Sequence, residues 1–505
     1  MINRRLRFIL PVRTAVLVLT AALTVGALAP RPAAADARTV LVEGWLRAIA
    51  QPLAASGYRL SWDRVTAGPS GTHVSVDGLQ GARDGSVERL SVGTMTLQRP
   101  RLATPDGLVA DALVLEAVQL TDGNWSSLAA RRIEVDRPDL ATMLRLLTAS
   151  VSKARQDLED QELWSRLLSG GVEISDFQAS TEVEDRPVEV RFGRFVTSGV
   201  EQGRIKRLDV DNLVMTPTAS DGDQTTMSID AIRATDFGIR TLSNQVTREP
   251  TKVRLLSALA DLQVGMVEMS GVRTSSTLTG TTEIDRQWAK TRAYVPGRSG
   301  AIVFGSEGMR SQPAESAHDL APFLMALFPP DGQFETRLEG DLSYDTSEGF
   351  VGYRQSMTVD DFGSVGLQLD LLGIPDLTIA EWQTVTKSDP RLDAIVINGF
   401  SMSLTDTGGL DRTVLMLTDD KKARPSQLRG ALAEQLGAFA QSLNAKKDPR
   451  LLDWLRVVQD FVRLGGTLAI GGTRPIPVSA LQESQIKANT LTDLANRYGL
   501  AVTRR

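Results

Sequence analysis

The chain has 505 residues, 42% apolar and 23% charged, with a formal net charge of −5. That make-up provides a core to bury and excludes collagen-like, disordered and polytopic membrane classes. Cysteine is absent and the only histidines are His73 and His318, which excludes disulfide frameworks, thiolate metal sites and cysteine nucleophiles, and disfavours zinc and histidine-dependent catalysis.

Arg4, Arg5, Arg7 and Arg13 precede an apolar run over residues 14–29, and the small run Ala33-Ala34-Ala35 follows. A basic start, an apolar middle and a small-residue site together predict a secretory signal peptide, cleaved after Ala35. The apolar run has about 16 residues, short of the roughly 20 that span a bilayer. The alternative is an uncleaved inner-membrane anchor over residues 9–29. Residues 1–35 hold five of the 56 basic residues and none of the 61 acidic ones, so the rest carries 51 against 61, a net charge of −10. Such a chain lacks the basic footprint of a nucleic-acid binder. Export without cysteine fits a bacterial periplasm.

Beyond the signal, the spacing of Leu41, Trp45, Leu46, Ile49 and Leu53 predicts a helix over residues 38–56, ended by Gly57. Alternating apolar residues then predict strands, with Val87, Leu90, Val92, Met95 and Leu97 after one turn and Leu113, Leu115, Val118 and Leu120 after the next. A second helix is expected over residues 138–168, opened by Pro138, and a short apolar one over 319–328, stopped by Pro329-Pro330. Strands are expected around Phe334, Thr336 and Leu338, and around Val365, Leu367 and Leu369. Leu428, Leu432, Leu436, Phe439 and Leu443 predict one late helix, Leu451, Leu455, Val458 and Val462 another, and residues 490–497 a last one. These helical faces have no dense rim of lysine and arginine, so packing on a sheet is preferred to a membrane-surface role.

A short pattern recurs along the strand-like tracts. Two apolar residues two apart are followed by a small or turn-prone pair and then a third apolar residue. The tracts are residues 74–79, 172–177, 208–213, 227–232, 267–272 and 395–400. In a regular strand the third apolar residue would point to the opposite face, because it lies an odd step from the second. One extra residue, as in a β-bulge, returns it to the first face and bends the strand. The expected fold is therefore α+β but β-dominated: a long, curved, mostly antiparallel sheet with bulged strands and amphipathic helices packed on it. The chain divides into a signal peptide (1–35), an N-terminal helix, sheet and helical segment (36–170), a β-repeat region (171–315) and an α+β C-terminal region (316–505).

With its amino-terminal membrane signal and many short strands in this rhythm, the layout resembles AsmA-like periplasmic proteins of Gram-negative bacteria. The resemblance rests on the six tracts above. It implies a long, twisted β-groove and a role in envelope lipid traffic or outer-membrane homeostasis, and it supplies no functional residue. Two features depart from that family: a signal that reads as cleavable, and a C-terminal third with amphipathic helices followed by Gly465-Gly466 and a glycine-flanked strand.

Motifs for catalysis are missing. Gly363-Ser364-Val365-Gly366 is no nucleophile elbow, because Phe362 stands where that motif needs glycine. There is no phosphate-binding loop, dinucleotide fingerprint or zinc-protease helix. Asp221-Gly222-Asp223 lacks the full spacing of a calcium loop. No cofactor and no metal ligand set is expected. The sequence points to a non-enzymatic periplasmic protein that binds or scaffolds an apolar envelope partner, lipid or protein, near a membrane. Ile174, Phe177, Val210, Leu213, Ile229 and Ile232 would line its apolar concave face. The alternatives are an interaction module with a self-filled core and a carboxylate-based hydrolase.

Overall fold

The computed structural model describes residues 37–138, 140, 170–238, 254–312, 334–416, 424–442, 449–481 and 491–505, less short breaks within these ranges. The signal peptide expected at 1–35, the helices expected at 138–168 (beyond its first residues) and 319–328, His318 and Asp221-Gly222-Asp223 lie outside the described residues. The chain forms two compact units, Met1–Asn244 and Gln245–Arg505.

The first unit opens with helix α1 (Ala37–Ala54). Strands β1 (Tyr58–Ser61) and β2 (Arg64–Ala67) both pair with β3 (His73–Arg83). The sheet continues through β4 (Arg89–Gln98). β5 (Arg101–Thr104) and β6 (Gly107–Val109) make a hairpin of their own. Then come β7 (Ala112–Thr121), β8 (Ser127–Asp136), β9 (Val172–Val183), β10 (Arg186–Glu201), β11 (Arg204–Pro217) and β12 (Thr225–Gly238), each antiparallel to its neighbour. The β8–β9 ladder carries the sheet across Gly170-Gly171, where the sequence suggested a division.

The second unit has helix α2 (Leu255–Asp261) and antiparallel strands β13 (Val264–Ser276), β14 (Gly280–Val295), β15 (Ser299–Gln312), β16 (Phe334–Asp345), β17 (Phe350–Val359) and β18 (Gly363–Leu372). After α3 (Ile379–Thr384), β19 (Val396–Asp406) pairs with β18. Helices α4 (Gly409–Met416), α5 (Pro425–Ser442) and α6 (Pro449–Leu464) follow. β20 (Gly466–Gly472) pairs with β19, as does the short β21 (Ile476–Pro477). Helix α7 (Leu491–Tyr498) leads into β22 (Leu500–Arg504), which pairs with β20. The β15–β16 ladder crosses the second expected division. No pairing among the described residues closes either sheet into a barrel. Strand dominates, so the α+β expectation is met only loosely.

The repeat has a sharper physical form than one bulge per tract. Position five of the pattern is left-handed in four of the six tracts, at Gly78 (φ 63°), Asp176 (φ 50°), Asn212 (φ 56°) and Gly271 (φ 59°). Yet the ladders from β3 to β12 in the main sheet of the first unit do not slip. Leu79 faces Val92 while Val76 faces Met95, and the rung between Gly78 and Gly93 is skipped on both strands. The same holds for Gly93 with Ala117, Ala117 with Arg131, Arg131 with Asp176, Asp176 with Gly193 and Asn212 with Asp230. Strands β3, β4 and β7 to β12 thus each carry an extra residue at the same level. The extras oppose one another, and the left-handed one falls on every second strand: β3, β7, β9 and β11. In the second unit the register slips by one residue between β14 and β15 at Arg292/Val295, between β15 and β16 at Ser306/Met309 and between β18 and β19 at Asp370/Leu371.

The phase argument is satisfied in the packing. Val74, Val76 and Leu79 are fully buried, as are Val92 and Met95 on the next strand and Leu113, Leu115 and Val118 beyond it. They form one core with Val42, Leu46 and Ala50 of α1. The buried line of α1 runs through Val42, Leu46, Ala50 and Leu53, while the expected Leu41 and Trp45 sit at its margin.

Candidate functional site: two faces of a sheet

The band of insertions sorts side chains onto an apolar and a polar face. The six residues expected to line an apolar face are brought together. Ile174 faces Phe195, Phe195 faces Val210 and Val210 faces Ile232, all in one rung. Phe177 faces Phe192, with rings stacked 4.4 Å apart, and Leu213 faces Ile229. The two rungs flank the insertion band. Ile174 and Phe177 are 4% and 3% exposed and belong to the core that α1 covers. Val210 and Ile229 are buried, whereas Leu213 and Ile232 are half-buried. Within the first unit, cover over the apolar face thins from β3 towards β12.

Phe192 and Phe195 are the residues of this face that the sequence pattern missed. They lie in a tract with the same apolar spacing, Val190, Phe192 and Phe195, but its middle pair is Gly193-Arg194. The same applies to β8, where Leu128, Ala130 and Ile133 surround Arg131-Arg132. A search that demanded a small or turn-prone pair found β12 through Asp230-Ala231 but missed β8 and β10, whose pairs contain arginine.

In the second unit the apolar face is open. Leu367 on β18 faces Met402 on β19, which faces Ile470 on β20, which faces Val502 on β22. Two rungs away, on the same face, Val365, Leu404 and Leu468 align in the same way. Leu367 is 36% exposed, Met402 44%, Leu404 37% and Ile470 36%. Backbone groups of β18, β19 and β20 beneath this row are consumed by the ladders, so there it offers greasy side chains and few polar partners. Tyr353 and Phe400 continue it on the other flank of Leu369.

The opposite face is laced with ion pairs. Glu173 accepts from Arg194 at 2.9 and 3.2 Å, which holds its carboxyl below the ordinary glutamate range. Arg132 bridges Glu116 and Glu134, and Arg131 pairs with Asp176 across a skipped rung. Asp209 is buried between Arg207 and Arg233. In the second unit Arg286 donates to Glu268 at 2.7 Å and Arg310 to Asp285. These exposed pairs contribute little individually. Together they keep this face wet and its charge balanced. Asp285 and Asp63 place their carboxylates directly over the left-handed Gly308 and Gly78, where a Cβ would meet them at 2.0 and 1.9 Å.

The described residues contain no group of three or more acids and histidines able to hold a metal ion. No described helix is long and apolar enough to cross a membrane, which says nothing of strands. Asp360-Asp361 forms the turn between β17 and β18, with Asp361 left-handed at φ 56°. Residues 356–505 match a family model described as an uncharacterised protein. No curated protein matches the chain. The matched stretch runs from within β17 to the end of β22 and contains the whole exposed row.

Proposed function

We propose that the protein is a non-enzymatic component of the bacterial envelope, exported to the periplasm, that shelters apolar lipid chains on one face of an antiparallel sheet laid out as in AsmA-like proteins. The observation that carries this is the exposed row Leu367–Met402–Ile470, in register on three adjacent strands and still more than a third open. Each methylene withdrawn from water onto such a surface contributes about 0.8 kcal/mol. Aligned insertions increase twist and bend strands. The same band that keeps apolar side chains on one side therefore favours a curved wall. Leu213 and Ile232 would extend the lining in the first unit.

A self-filled interaction module is the second reading, and the packing of α1 onto β3–β9 favours it for the first unit. The two are separated by expressing the full chain with its signal, extracting the purified protein with organic solvent and running mass spectrometry. Stoichiometric lipid in the wild type, reduced in Leu367→Gln/Met402→Gln with unchanged circular dichroism, supports sheltering. Lipid-free protein from both preparations leaves the self-filled module.

A further inference from the structure

The outer edge of β22 makes a second kind of surface, independent of the apolar face. Thr467 and Arg505 exchange both backbone hydrogen bonds at 2.9 Å, which fixes the alternation of the β20–β22 ladder. Residues 501, 503 and 505 therefore turn their N–H and C=O towards β20. Leu500, Val502 and Arg504, in the non-hydrogen-bonded pairs, turn theirs away from it. Among the described residues nothing accepts or donates there. Among the described strands, β22 pairs with β20 alone. Such an edge is a template for one more strand.

The charge beside this edge differs from that of the rest of the molecule. Between residues 491 and 505 there are three arginines, Arg497, Arg504 and Arg505, against one acid, Asp493, in a chain whose net charge is −5. The arginines of the ion-pair face have carboxylate partners. Arg504 instead spends its Nε on the carbonyl of Gly465 at 2.7 Å. No described carboxylate pairs with Arg497, Arg504 or Arg505. Arg504 shares a face with Leu500 and Val502, and Val502 is the next member of the exposed row after Ile470.

We infer that β22 receives an extended acidic segment of a partner protein, added as an antiparallel strand. Its backbone would bond to Leu500, Val502 and Arg504. Its side chains would set an acid opposite Arg504 and apolar residues opposite Val502 and Leu500, two positions apart each time. The recognised chemistry is acid-x-apolar-x-apolar. The arginines were present in the sequence, but their meaning was not, because nothing in a linear pattern says which backbone groups face outward.

The test uses the full chain and fluorescein-labelled peptides of alternating valine and threonine, led by two glutamates or by two lysines. Fluorescence anisotropy should show saturable binding of the glutamate peptide, weaker by about tenfold or more for the lysine peptide. Val502→Pro removes an outward N–H and spares the β20 ladder, so it should keep its circular dichroism and lose binding. Arg504→Glu, an exposed change, should reverse the preference to the lysine peptide. Equal binding by wild type and Val502→Pro, or no saturable binding by wild type, overturns the inference. So does concentration-dependent dimerisation abolished by Val502→Pro, which would give the edge to a second copy. Arg504→Glu leaves every apolar member of the exposed row in place, so its lipid content should match that of the wild type, and the outcome stands apart from that of lipid extraction.

Discussion

Ala117 holds a left-handed backbone at φ 52° with a methyl group in place. That conformation costs an L-residue about 1–2 kcal/mol. It persists because β7 must supply its extra residue at the level of Gly93 and Arg131. Gly93 opposite is the one residue small enough, since a Cβ there would lie 3.1 Å from that of Ala117. Ala117→Gly should raise the stability of the first unit by about 0.5–1 kcal/mol, after the backbone entropy of glycine is set against the relief of strain. Gly78→Ala should lower it by about 1–2 kcal/mol from the backbone alone. It must also displace the Asp63 carboxylate, which lies 1.9 Å from where the methyl would sit. Urea unfolding of the two variants beside the wild type measures both, and equal midpoints would refute the strain account.

At the scale of elements, the helices of the second unit are tied by one buried cation. Arg429 of α5 donates its Nε to the carbonyl of Val462 on α6 at 2.8 Å and its Nη1 to Asp411 of α4 at 2.9 Å. The same guanidinium lies 3.5 Å from Asp406 at the end of β19. Asp406 in turn accepts from the backbone N–H of Gly408 and Leu410, opening α4. Arg429→Met leaves Asp406 buried without its cation and should cost about 3–5 kcal/mol. Asp406→Asn in that background should recover a large part, read from tryptophan fluorescence in urea. None of this was legible beforehand. The leucine line of α5 was, but its buried positions are Ala433 and Ala440, while Phe439 is 55% exposed. Small residues are buried there because α5 packs closely on α6, with Gly437 against Gln459. Periodicity identifies a helix and says less about which of its apolar residues a close neighbour selects. The repeat was legible because its chemistry is local: only Gly, Asn and Asp take the left-handed position cheaply. The partner strands β8 and β10, with arginine in the middle pair, needed the ladder.

At the scale of the molecule, the two units differ in how they use the same alternation. The first packs α1 onto β3–β9 in a continuous core. Strands β14 and β18 of the second show half-buried residues on both faces for most of their length. Opening free energies follow buried apolar contact. Backbone amides of β4, β7 and β8 should therefore exchange slowest in hydrogen–deuterium mass spectrometry, and those of β18–β20 measurably faster. Uniform protection would mean that the open row is covered in solution. Added lipid that slows exchange in β18–β20 alone would place the occupant there.

Because left-handed residues fall on alternate strands, the architecture can lengthen or shorten only in hairpins. Duplicating a single strand would set two left-handed residues side by side, or none, and the neighbouring ladder would have to slip, as it does where the band stops between β15 and β16. Relatives of different size should differ by even numbers of strands, a quantised span set by the handedness of one backbone torsion.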